Sequence, residues 1–307
     1  MRSFWISPKQ ISTRPAWLLG SLSLLMLAAA GGPAARAQSA AEPEAPAVGA
    51  VRLAAANAAL TGVLAVGRRW TEGRLGSWDD ALETFLCGAG GGYGFYQAKR
   101  LAGRGHAAGG LALAYASASV VENVSTGRHP LGYVRLGTAP VDVRLRTPLA
   151  RTEQGPPVTV EVNAVGAASL LVLPALGHRP AFRGGWLFLR SGAAVGEQRA
   201  GGTRAAGYAF GRAAVLLEGS GPAVRAHETI HVVQALQIGA TTPYFRLGRV
   251  WPRAGRLLEA PFGAPVALDL QLDWLYGAAT LAWWPVDYRR RWPEVEAYSL
   301  TAPAHAQ

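Results

Sequence analysis

The sequence predicts an α+β fold, in which Ala- and Gly-rich N-terminal helices precede an antiparallel β meander and further helices follow it. Residues 51–127 are rich in Ala and Gly, residues 133–218 alternate apolar with polar side chains, and helical periodicity returns after Pro222. With 307 residues, of which 50% are hydrophobic, the chain is long enough to bury a sizeable core.

Residues 1–37 have the pattern of a secretory signal peptide. Basic residues precede an apolar run from Ala16 to Ala30, and Ala35-Arg36-Ala37 supplies a small-x-small cleavage site. Residues 38–50 then form a Pro-containing linker. We therefore expect an exported protein that is periplasmic, envelope-associated or secreted, and its one cysteine, Cys87, excludes an intramolecular disulfide.

The region 51–127 predicts helices at 51–70, 78–103 and 107–123. Asp79, Asp80 and Glu83 follow Trp78, and acidic side chains favour the positive end of a helix. The run CGAGGGYGFYQAKR is unusual inside a helix, since each Gly costs about 1 kcal/mol relative to Ala. Either the glycines allow close helix packing, or they form a loop between two shorter helices.

The region 128–220 predicts antiparallel strands with one solvent-facing surface. Val134, Leu136, Val141, Val143 and Leu145 alternate with polar residues, as do the valines of 158–162. Strand-like runs recur at 185–190 and 213–218. The pattern is typical of a meander or a partly closed barrel.

The region 221–307 predicts helices again, and we expect it to form one unit with the β region. One helix begins at Pro222, a favoured first helical residue, and ends near Ile238, because Gly239 suits the position after a helix. Further helices are predicted at 264–282 and from Pro293.

The first of these helices contains AHETIHVVQ, residues 226–234, an H-E-x-x-H pattern. Residues four apart share a helix face, so His227 and His231 can direct imidazole nitrogens at one metal ion. Glu228 lies beside them, where it can act as general base on a metal-bound water. The alternatives are a buried structural helix and a metal site without catalysis.

A catalytic zinc usually keeps three protein ligands, so a further ligand is needed. One class of H-E-x-x-H site takes it from a His six positions after the second His, but Gln237 stands there. A carboxylate from a later helix is the remaining option. We prefer Glu296, followed by Glu294, over the other acidic candidates Glu259, Asp269, Asp273 and Asp287.

AHETIHVVQ resembles the metal helix of zincin metallopeptidases of the gluzincin type, and its HVVQ ending is similar to peptidase-like domains associated with bacterial contractile injection systems. It also resembles exported bacterial proteins in which an aromatic segment and a Pro-x-x-Glu-Ala ending follow, as TTPYF and WPEVEAYSL do here. The resemblance spans about 80 residues. It implies His227, His231 and Glu296 as zinc ligands, Glu228 as base, and a zincin-like helical region.

These observations lead to two hypotheses. The first is an exported zinc-dependent hydrolase that cleaves a peptide or protein, in which Tyr244 or Tyr298 could hold the oxyanion. The second is a non-catalytic envelope- or membrane-associated binding protein. Its basis is the Gly-rich stretch around 87–94, the apolar run AGGLALAYASASVV and the Trp/Arg-rich run 281–292, a mixture suited to a membrane interface. The net charge of +11, which falls to +7 when the four basic residues of the expected signal peptide are removed, suits an anionic membrane surface. The sequence has no nucleic-acid-binding motif.

Overall fold

A computed structural model describes residues 49–138, 141–150, 156–163, 167, 174, 178–183, 186–191, 207–210, 212–217, 221–242, 245–246, 266–270 and 292–301. These residues belong to a unit that spans Pro43–Gln307. The expected signal peptide lies outside the described residues.

The described residues combine helices and strands, as the sequence predicts. The helices are α1 (Ala50–Thr71), α2 (Trp78–Gly103), α3 (Ala107–Ser125), α4 (Pro222–Thr241) and α5 (Trp292–Thr301). The first three agree with the predicted bounds to within two residues. They pack against one another, and α4 packs against α2 and α3. A core of Phe95, Leu111, Val233 and Leu236 fills the space between these last three helices.

The glycine-rich run forms part of one continuous helix, so the alternative of a loop is wrong. Ser77 caps α2 by accepting a hydrogen bond from the backbone N–H of Asp80 at 3.1 Å. A Cβ on Gly91 would lie 2.4 Å from Val121 of α3, and one on Gly92 would lie 2.4 Å from the carbonyl oxygen of Asn57 in α1. The glycines therefore let the backbone of α1 pack directly against α2 and leave room on α2 for a side chain of α3.

Two sheets account for the described strands. The strands are β1 (Tyr133–Thr138), β2 (Val141–Arg146), β3 (Val158–Asn163), β4 (His178–Arg183), β5 (Trp186–Ser191), β6 (Gly207–Phe210), β7 (Ala213–Leu217), β8 (Phe245–Arg246) and β9 (Val266–Leu270), and a short 3₁₀ turn covers Pro148–Ala150. The sheet orders are β1-β2-β3-β9-β8 and β4-β5-β7-β6. Only β1–β3 form the predicted meander, because β3 pairs with β9, and β5 with β7, in parallel.

The meander buries its charged side chains. Arg135 on β1 contacts Glu122 of α3 and Asp142 of β2, and Arg144 contacts Glu122 and Glu161. Leu136 and Leu145, on the opposite face, are 51% and 37% exposed. The predicted alternation is present, but the charged residues rather than the apolar ones face α3.

Strand β9 replaces part of the helix predicted at 264–282. Its sequence, VALDL, has a branched apolar side chain at every second residue, as a strand requires. Its backbone pairs with β3 on one side and with β8 on the other. The prediction is therefore wrong at residues 266–270, and the remainder of 264–282 lies outside the described residues. Asp269 stands in this strand, paired with Asn163, rather than on a helix one turn from Asp273.

Helix α4 continues past Gly239 to Thr241, one turn farther than predicted. Its last turn has carbonyl groups without helical partners, and the Nη1 of Arg68 on α1 donates to the carbonyl of Ala240 at 3.0 Å. The hydroxyl of Thr242 donates to Ile238 O at 2.9 Å. These contacts stabilise the added turn.

Helix α1 is long and apolar enough to cross a membrane by length and composition, with a mean hydropathy of 1.5 in its most apolar stretch. Trp78, Leu82 and Leu86, four residues apart on α2, are each about 60% exposed. The helical layer thus has apolar side chains on its outer surface.

Candidate metal centre

The candidate centre lies between α4 and α5. Within α4, His227 and His231 are four residues apart and share the face that contacts α5. Glu294, in the first turn of α5, completes a buried group of two imidazoles and one carboxylate. In the part of the chain that the structure describes, these three side chains lie close enough together to hold one metal ion.

The distances within this group fit tetrahedral coordination. The two Nε2 atoms are 3.1 Å apart, and Glu294 Oε2 lies 3.1 Å from His227 Nε2. Glu294 Oε1 is 3.4 Å from His231 Nε2. In a tetrahedral zinc site with bonds of about 2.0–2.1 Å, neighbouring ligand atoms lie about 3.3–3.4 Å apart. The two imidazole nitrogens are therefore spaced nearly as two corners of such a site, and one oxygen of the Glu294 carboxylate faces each of them.

The electrostatics of the group favour a cation. Burial raises the pKa of Glu294, but hydrogen bonds and positive charge from His227 and His231 outweigh it and lower the pKa to about 2. Burial lowers the pKa of His231, but the hydrogen bond and charge of Glu294 reverse the direction and raise it. Glu294 is therefore a carboxylate beside two imidazole nitrogens, a donor set suited to zinc.

Glu228 lies at the same site and is 5% exposed. Its Oε2 accepts no hydrogen bond within the described part of the chain. Burial raises the pKa of Glu228, and the negative charge of Glu294 adds to this effect, whereas both histidines oppose it. A buried carboxylate with one oxygen available and a raised pKa is a stronger base than an ordinary glutamate, and it can accept and return a proton.

Tyr298 borders the group, with its ring centroid 4.6 Å from that of His227. One turn earlier on α5, Glu294 occupies the ligand position, so a single helix supplies both side chains. Tyr244, the other candidate for an oxyanion donor, lies outside the described residues, as do Glu259, Asp273 and Asp287.

The structure places Glu296 away from the two histidines, which corrects its prediction as third ligand. Its Oε1 accepts from Asn57 at 2.6 Å, and its Oε2 accepts from Lys99 and Gln234, each at 2.8 Å. Burial raises the pKa of Glu296, but Lys99 and the hydrogen bonds lower it overall. Glu294, the second choice from the sequence, stands beside the histidines instead.

Lys99 and Gln234 belong to no predicted site, yet both contact residues around the centre. A signal for Lys99 was present, because Lys9 and Lys99 are the only lysines among 30 basic residues. An ammonium offers three donors on a narrow stem, and Arg does not replace it easily in a small buried space. Gln234 had a weaker signal, its position one turn after His231.

Comparison of the chain with protein-family models, curated proteins and solved structures gave no match.

Proposed function

We propose that this protein is a zinc-dependent hydrolase whose metal is held by His227, His231 and Glu294. The observation that carries the proposal is the spacing of the three donor groups, 3.1–3.4 Å, next to the available carboxylate oxygen of Glu228. Two imidazoles and one carboxylate leave a fourth tetrahedral position for water or substrate.

The arrangement supports a zincin-like assignment for this part of the chain. The metal helix α4 packs against β6 and β7, and the third donor comes from the later helix α5. β6 is the outer strand of its described sheet, which makes its edge a candidate to pair with an extended peptide. A peptide or protein is accordingly the proposed substrate.

Zinc, when bound, would polarise the scissile carbonyl and acidify water. Glu228 would accept the proton of the attacking water at Oε2 and return it to the leaving amine. Because Glu228 is buried, bulk water does not solvate its carboxylate. The ring of Tyr298 would limit the movement of His227, and its hydroxyl is the candidate donor to the oxyanion.

Glu228→Gln tests the catalytic part of the proposal. The variant keeps the shape of the side chain but removes the base, so zinc content should stay unchanged and peptide hydrolysis should fall by about 10²–10⁴-fold. The measurement is cleavage of a mixed peptide library by the zinc-loaded mature chain, with Glu83→Gln on the exposed surface of α2 as control. Unchanged hydrolysis by Glu228→Gln would exclude this mechanism.

A second candidate function is membrane association without hydrolysis. It is favoured by the apolar helix α1 and by the exposed Trp78, Leu82 and Leu86 on α2. Flotation of the mature protein with vesicles of anionic lipid tests it directly. Binding that Leu82→Glu weakens supports membrane association, and no binding at low salt excludes it.

A further inference from the structure

Gln234 connects the candidate metal centre to a second buried cluster. Its Oε1 lies 2.8 Å from His231 Nδ1, and its Nε2 donates to Pro293 O at 3.0 Å and to Glu296 Oε2 at 2.8 Å. The amide therefore bridges a metal-binding imidazole and the carboxylate that the sequence had suggested as a ligand.

The surroundings of Gln234 fix which way its amide points. Pro293 O and the Glu296 carboxylate can only accept hydrogen bonds, so the amide NH₂ must face them. A reversed amide would place its oxygen against both of these acceptors. The Oε1 therefore faces His231, where it accepts a hydrogen bond from Nδ1–H.

This contact determines the tautomer of His231. With the proton on Nδ1, the lone pair lies on Nε2, the nitrogen that is 3.1 Å from His227 Nε2 and 3.4 Å from Glu294. The opposite tautomer would place an N–H where the metal should bind. The amide orientation thus selects the form of His231 that can be a ligand.

Glu296 is itself held by a set of mutually satisfied polar groups. Lys99 Nζ donates to Glu296 Oε2 at 2.8 Å and to Asn57 Oδ1 and Gln237 Oε1, each at 2.7 Å. Asn57 also donates to Glu296 Oε1, and Gln237 donates to Thr61 at 2.7 Å. Three acceptors around one nitrogen require the three N–H groups of an ammonium, so the cluster has a charged lysine opposite a charged glutamate.

We propose that Gln234 and Glu296 are positioning residues of the metal centre: Glu296, held by Lys99, orients the Gln234 amide, and this amide holds His231 with Nε2 available to the metal. The inference rests on the proposed zinc site and adds a role for residues that do not contact the metal. Removing such an outer contact typically weakens metal binding by about 10–100-fold.

Gln237 provides a matched control for Gln234. Both are glutamines on α4 that are about 95% buried, and both contact the Lys99–Glu296 cluster, but in the described contacts only Gln234 reaches His231. Gln234→Met and Gln237→Met therefore remove comparable polar groups from the same helix, and they differ in the contact to the imidazole.

The experiment measures the zinc Kd by competition with a chromophoric chelator for wild type, Gln234→Met, Glu296→Gln and Gln237→Met, alongside their unfolding curves. We expect Kd to rise about 10–100-fold in the first two variants and to change less than about threefold in Gln237→Met. Wild-type affinity in Gln234→Met and Glu296→Gln would overturn the inference. A wild-type chain that binds no zinc would instead overturn the proposed function.

Nitrogen-15 NMR of labelled histidines gives a second readout, which a loss of stability alone would not change. In zinc-loaded wild type, His231 should show a single form with the proton on Nδ1 and zinc on Nε2. Gln234→Met should show a mixture of ring orientations, and Gln237→Met should keep the single form. A single wild-type form in Gln234→Met would overturn the inference even if the variant were less stable.

Discussion

Replacement of Gly92 by Ala tests the close packing that brings α1 within reach of Lys99. A Cβ at this position would lie 2.4 Å from the carbonyl oxygen of Asn57 and 2.8 Å from the Cβ of Thr61. Ordinary van der Waals contact begins at 3.4 Å. Because the neighbour is backbone, the two helices would have to separate by about 1 Å, a strain typical of overpacked cores.

The free energy of unfolding should fall by about 1–2 kcal/mol. Overpacking costs about 1–3 kcal/mol, and a backbone neighbour at 2.4 Å places this site in the upper half of that range. The better helix propensity of Ala returns up to about 1 kcal/mol. Gly90→Ala is the matched control, since nothing lies within 4 Å of a Cβ there. This variant should gain about 0.5–1 kcal/mol, because it has the propensity benefit without the clash.

Urea unfolding followed by far-ultraviolet circular dichroism provides the assay. The midpoint should decrease by roughly 0.5 M in Gly92→Ala and increase in Gly90→Ala, with the slope unchanged. A midpoint that moved in the same direction and by the same amount in both variants would refute the argument from backbone contact.

Two further predictions concern acid stability and metal removal. Burial raises the pKa of Asp142, but Arg135 and Arg212 outweigh burial and hold the pKa below its ordinary value of 3.8. The ionised Asp142 therefore stabilises the folded chain above pH 3.8. This stabilisation is lost as the pH falls through the lower pKa of the folded state. The difference in free energy of unfolding between wild type and Asp142→Asn should therefore be constant near neutral pH and become smaller in acid. A difference that became larger in acid would contradict a lowered pKa for Asp142. Chelation should lower the thermal midpoint of zinc-loaded protein by roughly 8 °C when free zinc had been about a thousand times its Kd. Calorimetry with and without chelator should show no such difference in His227→Ala, and an equal shift in that variant would place the stabilising ion elsewhere.

Local signals predicted most of the helices because their ends are determined by nearby residues. The acidic residues after Trp78 predicted the start of α2, where the structure adds a cap from Ser77. The glycines inside α2 do not interrupt the helix, because other helices pack against them. Pro222 likewise predicted the start of α4 correctly. The end of α4 was not predicted correctly, because Arg68, far away in the sequence, stabilises the last turn.

Periodicity identified which residues share a face but not which face is buried. Arg135 and Asp142 occupy one side of β1 and β2, as the alternation requires. Arg135 pairs with both Asp142 and Glu122, which lets this charged side face α3. Strand β9 was missed because its short alternating run is also compatible with a helix.

The same limitation explains the choice between Glu294 and Glu296. Two residues apart on a helix differ by about 200° in direction, so both cannot face the histidines. The sequence identified the helix and its two carboxylates, whereas the rotation of α5 depends on contacts with Lys99 and Gln234. The two histidines, whose spacing lies within one helix, needed no such distant information.

Zinc content of the purified protein tests the central claim most directly. Elemental analysis should give close to one zinc per chain in wild type and in Glu161→Gln, a buried carboxylate variant outside the centre. His231→Ala and Glu294→Gln should contain little zinc, because each removes one of the three donors. Full zinc content in folded Glu294→Gln, or none in folded wild type, would contradict the assignment of this site.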